Sequence, residues 1–318
     1  MVTNAIELIG LKKTYSSRKG SFNALDGLDV EVPNGGVYGF LGANGAGKTT
    51  AIRAIVGLLH ATSGSITMLG EPIPNRLPKV IDRVGALVET PSFFPSFSGR
   101  KNLDLLAKSR GFGAANVERA LEQVGLTERQ GDQVARYSLG MRQRLGVAAV
   151  LLKEPEILIL DEPGNGLDPP GIVEMRNLMR RLGSEGRTVF MSSHILSEVE
   201  QTCDALTIIA NGRTIRNGTV AEILAGGTSR YSVKVAGDAN TQTLAAQRLR
   251  EHGFVVQPGD RNDGLVDVVP ERAHEITQAL ADVGIYVSEL TPHGRSLEEA
   301  FVELTQGVQA TDQFGAPR

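Results

Sequence analysis

Residues 42–50 read Gly-Ala-Asn-Gly-Ala-Gly-Lys-Thr-Thr. This is a G-x-x-x-x-G-K-[ST] loop, whose chemistry is polyphosphate binding. Gly42, Gly45 and Gly47 let the backbone wrap around phosphate oxygens where side chains would clash. The N–H groups from Asn44 through Ala46 to Thr50 then point inward as a cradle. Lys48 supplies a point charge for the β- and γ-phosphates, and the Thr49 hydroxyl is a ligand for Mg²⁺. The chain is expected to bind a nucleoside triphosphate. A second group is acidic: Asp161-Glu162 follows the apolar run Ile157-Leu158-Ile159-Leu160. Beside a phosphate loop, Asp161 can hold Mg²⁺ through water, and Glu162 can orient or deprotonate the attacking water. A third is Ser138, placed to cap the helix that follows and to face an anion with its first N–H groups. Taken alone, each of the last two also fits a plain strand end or an ordinary helix cap.

These groups need elements to hold them. Residues 36–41 read as a buried strand entering the loop, and 51–59 as a helix with its N-terminus toward the anion. Residues 157–160 and 188–191 read as strands buried on both faces. Strand and helix patterns alternate over the first ~225 residues, which predicts an α/β core with parallel strands. A mostly helical lobe is inserted over about 90–155, with apolar residues at helix spacing over 117–124 and 140–152. Gly226-Gly227-Thr228-Ser229 marks a boundary. Beyond it the order strand 231–235, helix 241–250, strands 254–257 and 265–269, helix 271–283, strand 285–290 predicts a ferredoxin-like βαββαβ unit. A last helix opens with Ser296 and Glu299 as a capping box. The expected domains are 1–227 and 228–306, with 307–318 a disordered tail.

Composition narrows the class. The chain has 318 residues, net charge −3, 5% aromatics and no Trp. Neither a basic arm nor an aromatic base-stacking surface is expected, and no nucleic-acid partner. The single cysteine, Cys203, excludes an internal disulfide and fits a packing residue in a helix near Val199. The opening residues lack the basic head and apolar core of a signal peptide. No run approaches the ~18–20 apolar residues that span a bilayer. The chain is expected to be soluble, with any membrane role exerted through a partner.

In its order of phosphate loop, Ser138 segment, acidic strand and His194, the chain resembles the ATP-binding subunits of ABC transporters. The family signature is Leu-Ser-Gly-Gly-Gln. Ser138 and Gly140 match it, while Tyr137, Leu139 and Met141 depart. The resemblance implies a P-loop NTPase cassette with ATP and Mg²⁺ as cofactors. It also implies a head-to-tail homodimer with two ATPs sandwiched at the seam, and separate transmembrane permease subunits. The chain would then sit peripherally on the cytoplasmic face of the membrane. By match, Asp168 in Asn165-Gly166-Leu167-Asp168 would contact the opposite subunit, and His194 the γ-phosphate. Tyr15, before a long loop over 16–23, would stack on adenine. Glu89, after a strand over 83–88, stands where most of the family has a Mg²⁺-ligating Gln. A Glu there resembles the bacitracin-resistance and lantibiotic-immunity exporters, and the carboxy-terminal extension resembles the same drug-export group.

Rival readings have specific weaknesses. Asp161-Glu162-Pro163-Gly164 fits the Asp-x-x-Gly of a GTPase, but no Asn-Lys-x-Asp guanine reader occurs. A non-transport ABC ATPase of the translation or DNA-repair type would bring a second cassette or long heptads, and neither is present. The loop glycines do not form the dinucleotide fingerprint, and the five histidines lack metal-site spacing.

Overall fold

The computed structural model describes residues 4–17, 20–89, 92–225, 229–258, 264–268, 272–293 and 296–312. The chain divides into two compact units, Met1–Val220 with Leu304–Arg318, and Ala221–Glu303. The proposed boundary at 226–229 lies mostly outside the described residues, and the division falls at the start of α8 (Val220–Ala225).

The first unit is built on a six-stranded sheet. Its strands are β3 (Gly36–Leu41), β6 (Val84–Leu87), β7 (Ile157–Leu160), β8 (Thr188–Ser193), β9 (Ala205–Ala210) and β10 (Arg213–Thr219). The spatial order is β10-β9-β3-β8-β7-β6. All neighbours are parallel except β10 with β9. Every residue of β7 and β8 is buried, as the unbroken apolar runs predict for strands covered on both faces. One face carries α1 (Lys48–Ile55), with Phe40, Ile159, Phe190 and Ile52 in one core. Phe40 and Phe190 meet at 5.4 Å between ring centroids. The other face carries α6 (Pro169–Ser184) and α7 (Leu196–Thr202). α1 starts at Lys48 and stops at Ile55, earlier at both ends than the apolar pattern suggests. Gly47 in a left-handed conformation opens it, and Gly57 at φ +76° turns the chain after it.

A parallel α/β core alone does not describe this unit. A separate antiparallel sheet, ordered β2-β1-β4-β5, packs on the α1 side of the core. It comprises β1 (Asn4–Ser17), β2 (Gly20–Pro33), β4 (Ser63–Met68) and β5 (Glu71–Ile73). Its long strands are hard to see in sequence because register shifts fall between Leu8 and Leu11 and between Lys13 and Thr14. Each irregularity resets the period of two that reveals a strand. The loop expected over 16–23 is largely a hairpin, with Tyr15 opposite Phe22. Residues 18 and 19 lie outside the described residues.

The helical lobe holds α3 (Gly99–Ser109), α4 (Ala114–Gln123) and α5 (Leu139–Leu151). Cys203 follows α7 rather than lying within it. It is buried, and burial pushes its thiol far above the range where a thiolate forms.

The second unit holds β11 (Ser229–Val235), α9 (Ala239–Glu251), β12 (Val255–Pro258), β13 (Gly264–Val268), α10 (Ala273–Ala281) and β14 (Val287–His293). Sheet order β12-β13-β11-β14 with every pair antiparallel is the arrangement of a ferredoxin-like unit. Its own core gathers Val233, Val266, Ile276 and Leu280. The final helix, α11 (Leu297–Asp312), opens with the expected capping box. The Glu299 N–H donates to Ser296 Oγ at 3.2 Å, and the Ser296 N–H to Glu299 Oε2 at 3.2 Å. α11 runs into the segment expected to be a disordered tail, because no proline interrupts it before Pro317; residues 313–318 lie outside the described residues.

The two cores share no residues. Leu280→Ala is therefore expected to destabilise the second unit by about 2–5 kcal/mol while ATP affinity stays at the parental value. Denaturant unfolding followed alongside nucleotide binding checks both.

Candidate active site

The loop between β3 and α1 emerges at the carboxyl end of the central strand, where ligands bind in open α/β sheets. Two of its glycines are required for different reasons. A side chain on Gly42 would strike the Ile209 carbonyl at 2.8 Å, so this glycine seats the loop against β9. Gly47 has φ +108°, and a Cβ there would meet the Ala24 carbonyl at 2.6 Å. With Gly47 at the N-cap, no side chain caps α1. Its first N–H groups and the positive end of its dipole are left for an anion. Lys48 is only 6% exposed. Burying an ammonium is costly unless it is paired. Here Nζ donates to the Gly42 carbonyl at 2.7 Å and the Ala43 carbonyl at 3.3 Å, and lies 3.1 Å from Glu162 Oε1.

Asp161 and Glu162 follow β7 directly. Side chains alternate along a strand. Ile157, Ile159 and Asp161 thus share the α1 face, as do Phe190 and Ser192 on β8. Thr49 donates to Asp161 Oδ2 at 2.8 Å, and Ser192 donates to Asp161 Oδ1 at 2.5 Å. Continued extension would carry Glu162 to the far face. Instead its backbone turns left-handed, at φ +50°, a conformation costing a non-glycine residue about 1–2 kcal/mol. Two hydrogen bonds hold it. The Glu162 N–H donates to Ser192 Oγ at 2.9 Å, and the Glu162 carbonyl accepts from the Asn165 N–H at 3.1 Å. The turned carboxylate reaches Lys48 with one oxygen and His194 Nδ1 with the other, at 2.7 Å. A carboxylate only accepts, so Nδ1 carries the proton. Behind this pair lies Glu198 on α7, whose carboxyl is pushed up chiefly by burial.

Of the residues expected from sequence, Tyr15, Asn44, Gly45, Gly47, Lys48, Thr49, Thr50, Glu162 and His194 line one cavity of about 500 Å³. Ala46 is buried in the loop beside them. Phe22, Ala24 and Asn165 also line it and were not expected. Phe22 became visible only once the β1–β2 hairpin set it opposite Tyr15. Ser192 was also missed: in sequence it is one hydroxyl in a strand, and its role needs β7 beside β8. Asp161 lines an adjoining cavity of about 280 Å³, together with Glu89 and Gln143.

Glu89, Ser138, Gly140 and Asp168 do not join the phosphate-loop cavity either. Glu89 lies two positions past β6, largely exposed and paired with Arg53 at 2.8 Å rather than with Thr49. Thr90 and Pro91 after it lie outside the described residues. Ser138 is the N-cap of α5 and accepts from the Met141 N–H at 3.2 Å. Gly140 is buried, yet a Cβ on it would meet nothing closer than 3.8 Å. Asp168 is exposed at the N-cap of α6. Tyr137, which departs from the signature, is a lobe anchor: its hydroxyl donates to the Arg129 carbonyl at 2.8 Å, and burial raises its pKa.

The pattern of the family described as ABC transporter matches residues 25–165. The chain is 37% identical over 310 residues to the bacitracin transport ATP-binding protein BcrA of Bacillus licheniformis, covering 96% of this chain and 99% of that protein. It is 35% identical over 312 residues to the daunorubicin resistance ATP-binding protein DrrA3 of Streptomyces coeruleorubidus, covering 96% and 97%. Among solved structures, cbiO1 from Clostridium perfringens, part of the ABC transporter complex cbiONQ, superposes with a TM-score of 0.63 at 27% identity, covering 79% of this chain and 98% of that one. The chain belongs to the ATP-binding, ATP-hydrolysing proteins of ABC transporters, in the group that includes the bacitracin transporter's subunit.

Proposed function

We propose that this protein powers export of a drug, peptide antibiotic or lipid-like compound through separate membrane subunits, working as a pair of copies with ATP at their shared seam. One observation carries the reading. Lys48, Glu162 and His194 converge on one cavity, while Ser138, Gly140 and Asp168 stand apart from it in their own chain. Groups that the family uses on one γ-phosphate are thus split between two surfaces, and a second copy supplies the missing half.

Mg²⁺ takes hard oxygen ligands. The Thr49 hydroxyl and the Asp161 carboxylate, 2.8 Å apart, are of that kind and fit it. When bound, Mg²⁺ would neutralise charge building on the phosphate oxygens. The chain's own groups do the rest. Lys48 and the loop N–H groups hold the phosphates, and Glu162 accepts the proton of the attacking water. His194 holds the Glu162 carboxylate in place and steadies charge near the γ-phosphate. In the facing copy, Ser138 and Gly140 close over that phosphate and Asp168 contacts the opposite loop. Tyr15 stacks on adenine. Glu89, a carboxylate where a neutral amide is usual, would add to Mg²⁺ affinity while repelling γ-phosphate oxygens.

The membrane partner has a surface to meet. A cavity of about 290 Å³ beside β6 is lined by Leu87, Phe93, Leu106, Phe112 and the cations Arg110 and Lys153. In the same lobe Phe94 and Phe97 are exposed, 5.3 Å apart. Among the described residues no helix is long and apolar enough to cross a membrane. Attachment to the cytoplasmic face through permease subunits is consistent with that.

Glu162→Gln is expected to bind ATP, lose hydrolysis by about 100-fold or more, and elute as an ATP-dependent dimer in gel filtration. A monomer at saturating ATP and Mg²⁺ would sink the two-copy reading. Lys48→Ala is expected to lose ATP affinity in a direct titration. Gly140→Ala should not lower the melting temperature, because its new methyl meets nothing close in its own chain and alanine favours a helix over glycine. It should still slow ATP turnover. Parental turnover in that variant would mean that no second copy approaches Gly140.

A further inference from the structure

We infer that Ser192 is a positioning residue that sets both acids of the site at once: its hydroxyl orients the Asp161 carboxylate and holds Glu162 in its left-handed turn. The inference rests on the roles proposed above for Asp161 and Glu162. Nothing in the motif assigns Ser192, which precedes the Ser193-His194 pair in the strand.

This hydroxyl is out of reach of solvent, and its proton and one lone pair both go to the acid pair. Ser192 is fully buried on β8, in register with Phe40 of β3. Its single proton goes to Asp161 Oδ1 at 2.5 Å, and a lone pair accepts the Glu162 N–H at 2.9 Å. Asp161 is gripped on its second oxygen by Thr49. Its carboxylate plane is therefore fixed from two elements, α1 and β8. Partners of this kind behind a metal-binding carboxylate commonly change metal affinity or activity 10–100-fold when removed. The bond to the Glu162 N–H acts on a different property. Without it a buried donor loses its acceptor, and the left-handed turn that aims Glu162 at Lys48 and His194 keeps only the Asn165 bond. Neighbouring Ser193 makes no such bridge; its hydroxyl accepts from the Ile195 N–H at 3.0 Å within its own turn.

The test compares the full-length chain with Ser192→Ala, Ser192→Cys and Glu162→Gln. The thiol of Ser192→Cys is close in size to the hydroxyl but a weak donor, so that variant keeps the packing. Three quantities are measured: affinity for a non-hydrolysable ATP analogue without Mg²⁺, the gain in that affinity when Mg²⁺ is added, and kcat with KM. For Ser192→Ala and Ser192→Cys, Mg²⁺-free affinity should stay within about twofold. The Mg²⁺-dependent gain should fall about tenfold, and kcat about tenfold or more with KM little changed. Parental Mg²⁺ linkage and parental kcat in both Ser192 variants, with Glu162→Gln inactive, would overturn this inference and leave the roles of the acids standing. A loss of Mg²⁺-free affinity in proportion to activity in Ser192→Cys would also overturn it, because that is the mark of a general folding defect. Parental turnover in Glu162→Gln would overturn the assignment of Glu162 and this inference with it.

Discussion

The active site depends on one backbone turn. Asp161 and Glu162 are neighbours at the end of a strand, and a strand sends neighbours to opposite faces. In the site both lie on one side, one toward Thr49 and one toward Lys48 and His194. The left-handed conformation of Glu162 achieves this. That conformation is unfavourable for a side chain with a Cβ, and it persists because a hydrogen bond from its N–H to Ser192 Oγ and one from the Asn165 N–H to its carbonyl hold it at both ends. The strain sits at the second acid, and one of its two supports, Ser192, is fully buried.

That turn works only because of the order of strands. β8 lies between β3 and β7, so three carboxyl ends open side by side. The phosphate loop leaves β3, His194 leaves β8, and the acids leave β7. In sequence these segments are far apart. In the sheet they are neighbours, which is why a 2.7 Å contact between His194 and Glu162 needs no long side chain to bridge it. The antiparallel sheet contributes the cavity's outer wall, where the β1–β2 hairpin brings Tyr15 and Phe22 together. The signature segment belongs to the helical lobe and caps α5 instead of facing its own loop.

The second unit folds around a core of its own, and the similarity to BcrA extends through it. It is part of a shared architecture and not an addition peculiar to this chain. Its order of elements was legible because short strands and helices alternate cleanly there, each bounded by polar or glycine-containing turns.

The residues by themselves determined the chemistry: a phosphate loop with Lys48 and Thr49, a buried strand ending in two acids, and a histidine after another such strand. Motifs of this kind are local, so their meaning survives without the fold. The long strands β1 and β2 were not legible, because their bulges break the alternation that would reveal them. Ser192, Phe22 and the turn at Glu162 were not legible either. Each acquires its role only from a neighbour brought by sheet pairing, and pairing partners carry no local mark in a single chain. Only the tertiary structure decided which hydroxyl holds the acids, and that Glu162 faces Lys48 at all.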